Sequence, residues 1–94
     1  MSPEEYKNLK VGDYIADIWQ DYPYNGSNSQ MATGQICDGL YHVNNGKEYI
    51  PIIGKHIKWT DVDYDISWVT FEKYLEPECS NELKKFIKLD YTPT

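Results

Sequence analysis

Two histidines, His42 and His56, are the side chains of this 94-residue chain that ordinarily exchange protons near neutral pH. A predicted hairpin brings Tyr49 opposite His42, with Asp38 on the same strand. One hypothesis is therefore a small hydrolase or nuclease that uses either histidine as acid or base. Cys37 suits His42 poorly as a nucleophile, because residues five apart on a strand point to opposite faces. A histidine beside a tyrosine is more often structural, and we expect no catalytic residue.

Four carboxylates have the spacing of positions 1, 3, 5 and 12 of a calcium-binding loop: Asp61, Asp63, Asp65 and Glu72. Position 6 of such a loop needs glycine for its sharp turn, and Ile66 stands there. An acidic turn, or a strand edge whose aspartates face water, explains the same spacing. Neither a glycine-rich phosphate loop nor a His-x-x-x-His pattern occurs. The sequence therefore predicts no metal and no cofactor.

The chain has no lysine or arginine between Lys10 and Lys47, although aspartates and aromatic residues are frequent there. All nine positive charges are lysines, and the net charge is −6. A surface built from this segment offers no cation to a phosphate, so direct binding of nucleic acid is not expected. Tyrosine and tryptophan anchor many protein interfaces. The composition therefore favours a basic protein partner.

The predicted partner-binding residues are the carboxylates and rings of this segment together with the later aspartates: Asp17, Trp19, Asp21, Tyr22, Tyr24, Asp38, Asp61, Asp63 and Asp65. In the first predicted strand, Asp13 and Asp17 alternate with Val11 and Ile15 on one face, which argues against a uniformly acidic face. The loop over residues 21–30, with a tyrosine on each side of Pro23, is then the better candidate for contact.

We predict a non-enzymatic binding protein in the cytoplasm. In one form of this hypothesis it is an inhibitor from a phage or mobile element, whose carboxylates replace phosphates in the nucleic-acid channel of a host defence protein. The alternative from another class is a barrel that binds a small ligand or nucleotide. Its pocket would lie above His42 and be lined by Trp19, Tyr41, Trp59 and Trp68.

The length predicts a single domain over residues 1–94. Hydrophobic residues make up 40% of the chain and aromatic residues 15%, which is enough to fill one core. Cys37 and Cys79 form no CxxC pattern and are expected to be reduced. No apolar run reaches the roughly 18–20 residues of a membrane span, and the first residues are acidic where a signal peptide is basic. We therefore expect a cytoplasmic protein that does not enter membranes.

The predicted elements begin with a helix capped by Ser2, with Glu5 completing a capping box and Gly12 ending the helix. Strands are predicted over residues 11–22, 31–44, 56–59 and 66–71, with a further strand around Pro51. Proline lacks an amide donor, so this further strand belongs at a sheet edge or a bulge.

Two further signals concern a hairpin and the end of the chain. Asn45-Gly46 predicts a two-residue hairpin that pairs Val43 with Glu48. A helical turn is predicted over residues 72–75. The last element is predicted to be an amphipathic helix that Ser80 caps, with an apolar stripe made by Leu83, Phe86 and Ile87.

Two short motifs add a resemblance to a known fold. The capped helix is followed by Leu9-Lys10-Val11-Gly12-Asp13-Tyr14-Ile15 and later by Thr33-Gly34-Gln35-Ile36. This order resembles the opening of many SH3-like small β-barrels. The resemblance covers the first half of the chain and implies a mainly β, α+β fold. We accordingly expect a five-stranded SH3-like barrel with a short N-terminal helix and a C-terminal amphipathic helix.

Overall fold

The structure, a computed structural model, describes residues 1–20, 29–60 and 62–93, with the backbone alone for residues 19, 20, 29 and 30. Short helical segments are found at Pro3–Lys7 (α1), Glu72–Leu75 and Pro77–Cys79 (both 3-10), and Ser80–Leu83 (α2). The described residues also form seven strands: β1 Tyr14–Gln20, β2 Ser29–Cys37, β3 Leu40–Asn44, β4 Tyr49–Ile53, β5 His56–Trp59, β6 Ile66–Ser67 and β7 Phe86–Leu89.

The strands of the described residues form two sheets. One is four-stranded and antiparallel, in the order β5-β2-β1-β7. The other has the order β4-β3-β6, in which β3 and β4 are antiparallel and β3 and β6 parallel. The prediction of a mainly β, α+β fold is confirmed. The strand count of five is wrong, and within the described ranges the two sheets do not close into one barrel.

An apolar cluster packs one side of the four-stranded sheet against α1 and the segment around Phe71. The ring of Tyr6 stacks on Phe71 with centroids 4.2 Å apart, and its hydroxyl donates to the Phe71 carbonyl at 2.8 Å. Burial raises the pKa of Tyr6 well above its ordinary value. Removal of apolar surface from water stabilises the fold chiefly through this cluster: Tyr6, Leu9, Ile15, Ile36, Ile57, Phe71, Leu83 and Phe86.

The start of α1 agrees with the prediction. The backbone amide of Glu5 donates to Oγ of Ser2 at 3.2 Å, and the amide of Ser2 donates to Oε1 of Glu5 at 3.0 Å, so the capping box is confirmed. Hydrogen bonds from Ser2 lower the pKa of Glu5. The helix ends at Lys7, well before Gly12. Gly12 has a φ of 100° and belongs to the turn that leads into β1.

This turn is bonded to β2. The amide of Gly12 donates to the carbonyl of Ile36, and the amide of Ile36 donates to that of Asp13, both at 2.8 Å. Gly34 permits a close approach of β5, since a Cβ there would lie 2.7 Å from Cγ2 of Ile57. The two motifs that carry the resemblance therefore meet in space. β1 itself begins three residues later than predicted.

The strand predicted over residues 31–44 is two strands. The chain turns between them at Gly39, whose φ of 119° is readily accessible only to glycine. β2 then belongs to the four-stranded sheet and β3 to the other one. The strand predicted over residues 66–71 is shorter than expected and ends at Ser67, while Phe71 enters the core. The helical turn over Glu72–Leu75 is confirmed.

The hairpin between β3 and β4 has a different register from the predicted one. Val43 pairs with Ile50 and not with Glu48, a shift of two residues. Gly46 has a φ of 92°, but Asn45 does not adopt a positive φ. Its Oδ1 instead accepts from the amides of Lys47 and Glu48, at 2.9 and 3.0 Å. Because the shift is even, each side chain keeps its predicted face.

The predicted C-terminal amphipathic helix is wrong beyond its first turn. The predicted cap is also wrong, because Ser80 is the first helical residue and Cys79 occupies the N-cap position without a side-chain hydrogen bond. α2 ends at Leu83, and Phe86–Leu89 forms β7 along β1. Leu83 and Phe86 are buried as predicted, but Ile87 is exposed. The backbone groups of β1 need a hydrogen-bonding partner on this side, and β7 supplies it. Tertiary pairing therefore overrides the local helical pattern.

Candidate functional site

Several predicted partner-binding residues cannot be located. Asp21, Tyr22, Tyr24 and Asp61 lie outside the described residues, and Trp19 is described by its backbone alone, on β1. The hypothesis that the loop over residues 21–30 contacts a partner therefore stays a prediction.

Asp17 is half-buried, so its carboxylate is poorly placed to replace a phosphate in contact with a partner. On β1 it shares a side with Ile15, which lies in the core, and its register partner on β7 is Phe86. Oδ1 is buried and has no hydrogen-bond partner among the described residues. Burial raises the pKa of Asp17, as does the charge of Glu82, while Lys85 opposes the shift.

The other predicted carboxylates that can be placed lie elsewhere. Asp38 is exposed at the junction of β2 and β3, and its Oδ1 accepts from the amide of Gly39 at 2.9 Å. Asp63 is exposed and Asp65 is half-exposed, both just before β6. Asp17 is on one sheet and the other three flank the second. The described carboxylates therefore do not form one acidic face on β1.

His56 is built into the fold. Its ring is 2% exposed and stacks on Tyr41, with centroids 4.5 Å apart. Nδ1 lies 2.9 Å from the carbonyl oxygen of Gly54, and Nε2 lies 3.5 Å from Oδ2 of Asp65. Both nitrogens thus face acceptors inside the protein. Because a substrate cannot reach this ring, the geometry gives no support to a hydrolase that uses His56.

Cys37 pairs with His56 across β2 and β5, so the two side chains lie on the same side of the sheet. Burial raises the pKa of the Cys37 thiol, Asp65 adds to this effect, and Lys58 opposes it. A catalytic cysteine needs the opposite shift. His42 is half-exposed on β3, where its register partner on β4 is Pro51 and not Tyr49. The predicted His42–Tyr49 pairing is therefore wrong.

One side of the β4-β3-β6 sheet is apolar and faces outward. Tyr41 points to the inner side, where it is buried against His56. Successive residues of a strand point to opposite sides of the sheet, so the residues that alternate with Tyr41 face outward. Leu40 and Ile53 are a register pair on this outward side. Ile53 is 82% exposed. We call this set, four of whose six members are apolar, the outer face: Leu40, His42, Asn44, Tyr49, Pro51 and Ile53.

Among the described strands, β4 pairs with β3 alone and is an edge of this sheet. The amide of His42 donates to the carbonyl of Asp65, which directly precedes β6. The register pair of His42 and Pro51 therefore makes no hydrogen bonds across β3 and β4. The backbone of Pro51 therefore faces away from the sheet, where proline leaves no donor. The prediction that Pro51 lies at a sheet edge is confirmed.

A cavity of about 250 Å³ adjoins the outer face at Tyr49. Its inner wall includes Trp59 and Tyr74, which both pack edge-on against the buried Phe86. We call it the aromatic cavity, after the five rings that line it: Tyr49, Trp59, Tyr64, Trp68 and Tyr74.

Of the rings predicted to line an aromatic pocket, Trp59 and Trp68 line this cavity, whereas Tyr41 is buried and His42 is not in the lining. The side chain of Trp19 lies outside the described part of the chain. Tyr49, Tyr64 and Tyr74 were missed. Tyr49 directly follows the hairpin and Tyr64 lies among alternating aspartates, but no periodic pattern connects these distant segments.

Comparison of the chain with protein-family models, with curated proteins and with solved structures finds no match. Among the described helices, none has the length and apolar character that crossing a bilayer requires. Residues 1–20, 29–60 and 62–93 contain no cluster of three His, Cys, Asp or Glu side chains arranged to hold a metal ion.

Proposed function

We propose that this chain is a cytoplasmic, non-enzymatic module that binds a basic protein through the outer face. The observation that carries the proposal is an apolar sheet side that no part of the described chain covers, with Leu40, Tyr49 and Ile53 exposed together. Contiguous exposed apolar surface of this kind is typical of interaction sites. Pro51 at the centre of this edge offers no amide donor. Pairing of a strand from another molecule with β4 is therefore unfavourable.

Charge around the outer face supports a basic partner. Asp38 precedes β3, Glu48 precedes β4 and Asp63 precedes β6, and all three are exposed without an ion pair among the described residues. Lys47 is exposed at the hairpin, but Lys55 is turned inward, donating to the Leu9 carbonyl and lying over a core ring. Carboxylates at the rim of an apolar centre favour a partner with lysine or arginine around an apolar patch.

The inhibitor of a host defence protein remains one form of this proposal. A basic nucleic-acid channel has the charge that the exposed carboxylates complement. Since Asp17 is half-buried, the rim of the outer face supports such binding better than the first strand does. Association should then weaken as salt rises from about 0.05 M to about 0.3 M, because exposed charges are screened.

Affinity capture with matched variants tests the module. Ile53→Ser removes an exposed side chain from the outer face, and Ile87→Ser removes an exposed isoleucine from β7 on the other sheet. We expect Ile53→Ser to weaken binding of a captured protein about tenfold. Ile87→Ser should leave binding unchanged. A partner that is lost equally from both variants, or from neither, contradicts the proposal.

The aromatic cavity favours a second candidate, the binding of a small ligand or nucleotide. Rings and few polar groups are typical of small-molecule sites. A screen of nucleotides and metabolites for a raised melting temperature tests it, since a ligand that binds the folded chain stabilises it. A ligand whose effect persists in Trp68→Ala does not bind in this cavity.

The SH3-like relationship is likewise a proposal. It is supported by the hydrogen bonds between the Gly12-Asp13 turn and Ile36, and by the close approach at Gly34. A solved structure in which the two sheets do not pack around a common barrel axis would contradict the SH3-like relationship.

A further inference from the structure

We propose that the aromatic cavity receives a lysine side chain of the basic partner. This inference deepens the proposed function and rests on it. The cavity lies at one end of the outer face and shares Tyr49 with it. A partner seated on that face therefore has the cavity within reach of a long side chain.

The lining explains why the occupant should be a cation. Among the described residues, no charged side chain lines the cavity, and five rings do. The face of an aromatic ring is electronegative and attracts an ammonium group. An anion would find no cation among the described lining residues. Val62 and Ile66, also in the lining, suit the methylene stem of lysine.

Exposed carboxylates that neighbour lining residues in the chain are complementary to an ammonium group. Glu48 precedes Tyr49 and Asp63 precedes Tyr64, and both are exposed without an ion pair among the described residues. Two lysines also adjoin lining residues, but both are already engaged. Lys58 donates to the Val62 carbonyl at 2.9 Å, and Lys73 pairs with Glu76 and Glu78.

The arrangement of the rings suits insertion of a long, unbranched side chain. Trp59 and Tyr74 are held by the core through Phe86 and form a fixed inner wall. Burial raises the pKa of Tyr74 to about 12, so its phenol is neutral at physiological pH. Tyr64 and Trp68, 62% and 74% exposed, stand at the mouth. In the proposed complex, an extended side chain contacts these exposed rings and ends against the inner wall.

Peptide binding to the full chain tests the inference. The probe is a blocked glycine-serine peptide with one central lysine, titrated while tryptophan fluorescence is recorded. Two matched peptides carry acetyl-lysine, which is neutral, or norleucine, which lacks the ammonium group. We expect the lysine peptide to bind with a Kd on the order of 1 mM and the neutral peptides at least about fivefold more weakly. Equal binding of all three peptides overturns the inference.

Two tyrosine variants locate the binding. Tyr64→Ala removes a ring of the mouth, and Tyr91→Ala removes a tyrosine of similar exposure that does not line the cavity. Tyr64→Ala should weaken the lysine peptide about fivefold, and Tyr91→Ala should not. Because both side chains are more than half exposed, both variants should keep the wild-type melting temperature. Equal loss in the two variants overturns the inference.

Other outcomes separate this inference from the proposed function. Tetramethylammonium that saturates the cavity while the lysine peptide fails to bind would show a free organic cation as the occupant, and would overturn the inference. Capture that depends on Ile53 without lysine-peptide binding leaves the module standing and removes the cavity's role. Lysine-peptide binding without any Ile53-dependent partner supports the chemistry of the cavity and contradicts the module.

Discussion

At the scale of single residues, carboxylates of the same chemistry occupy very different surroundings. Asp17 faces the core side of β1 and has a buried oxygen without a partner among the described residues, while Asp63 is exposed. The alternation of Asp13 and Asp17 with Val11 and Ile15 already argued against an acidic face there. The degree of burial of Asp17, however, depends on β7 and α2, which are distant in sequence.

We predict that Asp17→Asn raises the free energy of unfolding at pH 7. A carboxyl group whose pKa is higher in the folded chain favours folding when protonated, so its ionisation above about pH 4 destabilises the native state. The gain should shrink toward about pH 3, where the wild-type carboxyl is protonated as well. Urea denaturation at both pH values measures it. Asp63→Asn, at an exposed site, is the control, and a loss of stability in Asp17→Asn at pH 7 would contradict the assignment.

At the scale of elements, a local helix pattern occurs near each end of the chain, but only the one near the N-terminus forms the predicted helix. The capping box of Ser2 and Glu5 produced α1, because all its contacts are local. The stripe of Leu83, Phe86 and Ile87 predicted a helix, but Phe86–Leu89 instead forms strand β7, which pairs with β1. Short helices depend on tertiary packing, which local propensity does not specify.

Pro51 gives a prediction for the edge strand β4. Replacement by valine restores an amide donor in the middle of the free edge, beside the exposed Tyr49 and Ile53. We expect Pro51→Val to self-associate more strongly than the wild type at the same concentration, because an unprotected edge pairs with other strands. Sedimentation velocity measures this. Pro77→Val, at an exposed proline outside the strands, should behave as the wild type does, and an unchanged Pro51→Val would show that proline does not protect this edge.

At the scale of the whole molecule, aromatic residues divide between the core and the surface. Tyr6 is buried, whereas the mouth of the aromatic cavity is lined by exposed rings. Composition alone indicated an abundance of rings and favoured core or interface roles for most of them. It could not indicate which rings converge, because Tyr49, Tyr64 and Tyr74 come from separate segments that only the two-sheet arrangement brings together.

Two phenols, that of buried Tyr6 and that of partly buried Tyr74, predict alkaline instability. Burial raises the pKa of Tyr74 to about 12 and that of Tyr6 further, whereas tyrosines of the unfolded chain ionise near about 10. Above that pH the unfolded chain loses protons that the folded chain retains, so the free energy of unfolding should fall. Urea denaturation at about pH 9 and about pH 11 measures the fall. Tyr74→Phe should reduce it and the exposed-site control Tyr91→Phe should not; equal stability at both pH values would contradict this prediction.

The sequence by itself determined the class of the fold, the capped first helix, the edge position of Pro51 and the acidic character of the chain. Each of these follows from local hydrogen bonding, from alternation or from composition. The tertiary structure alone decided the strand β7, the shifted hairpin register, the burial of His56 and the convergence of five rings into one cavity. These features depend on which distant segments share a sheet, and sheet pairing is settled by burial and backbone hydrogen bonding across the whole chain.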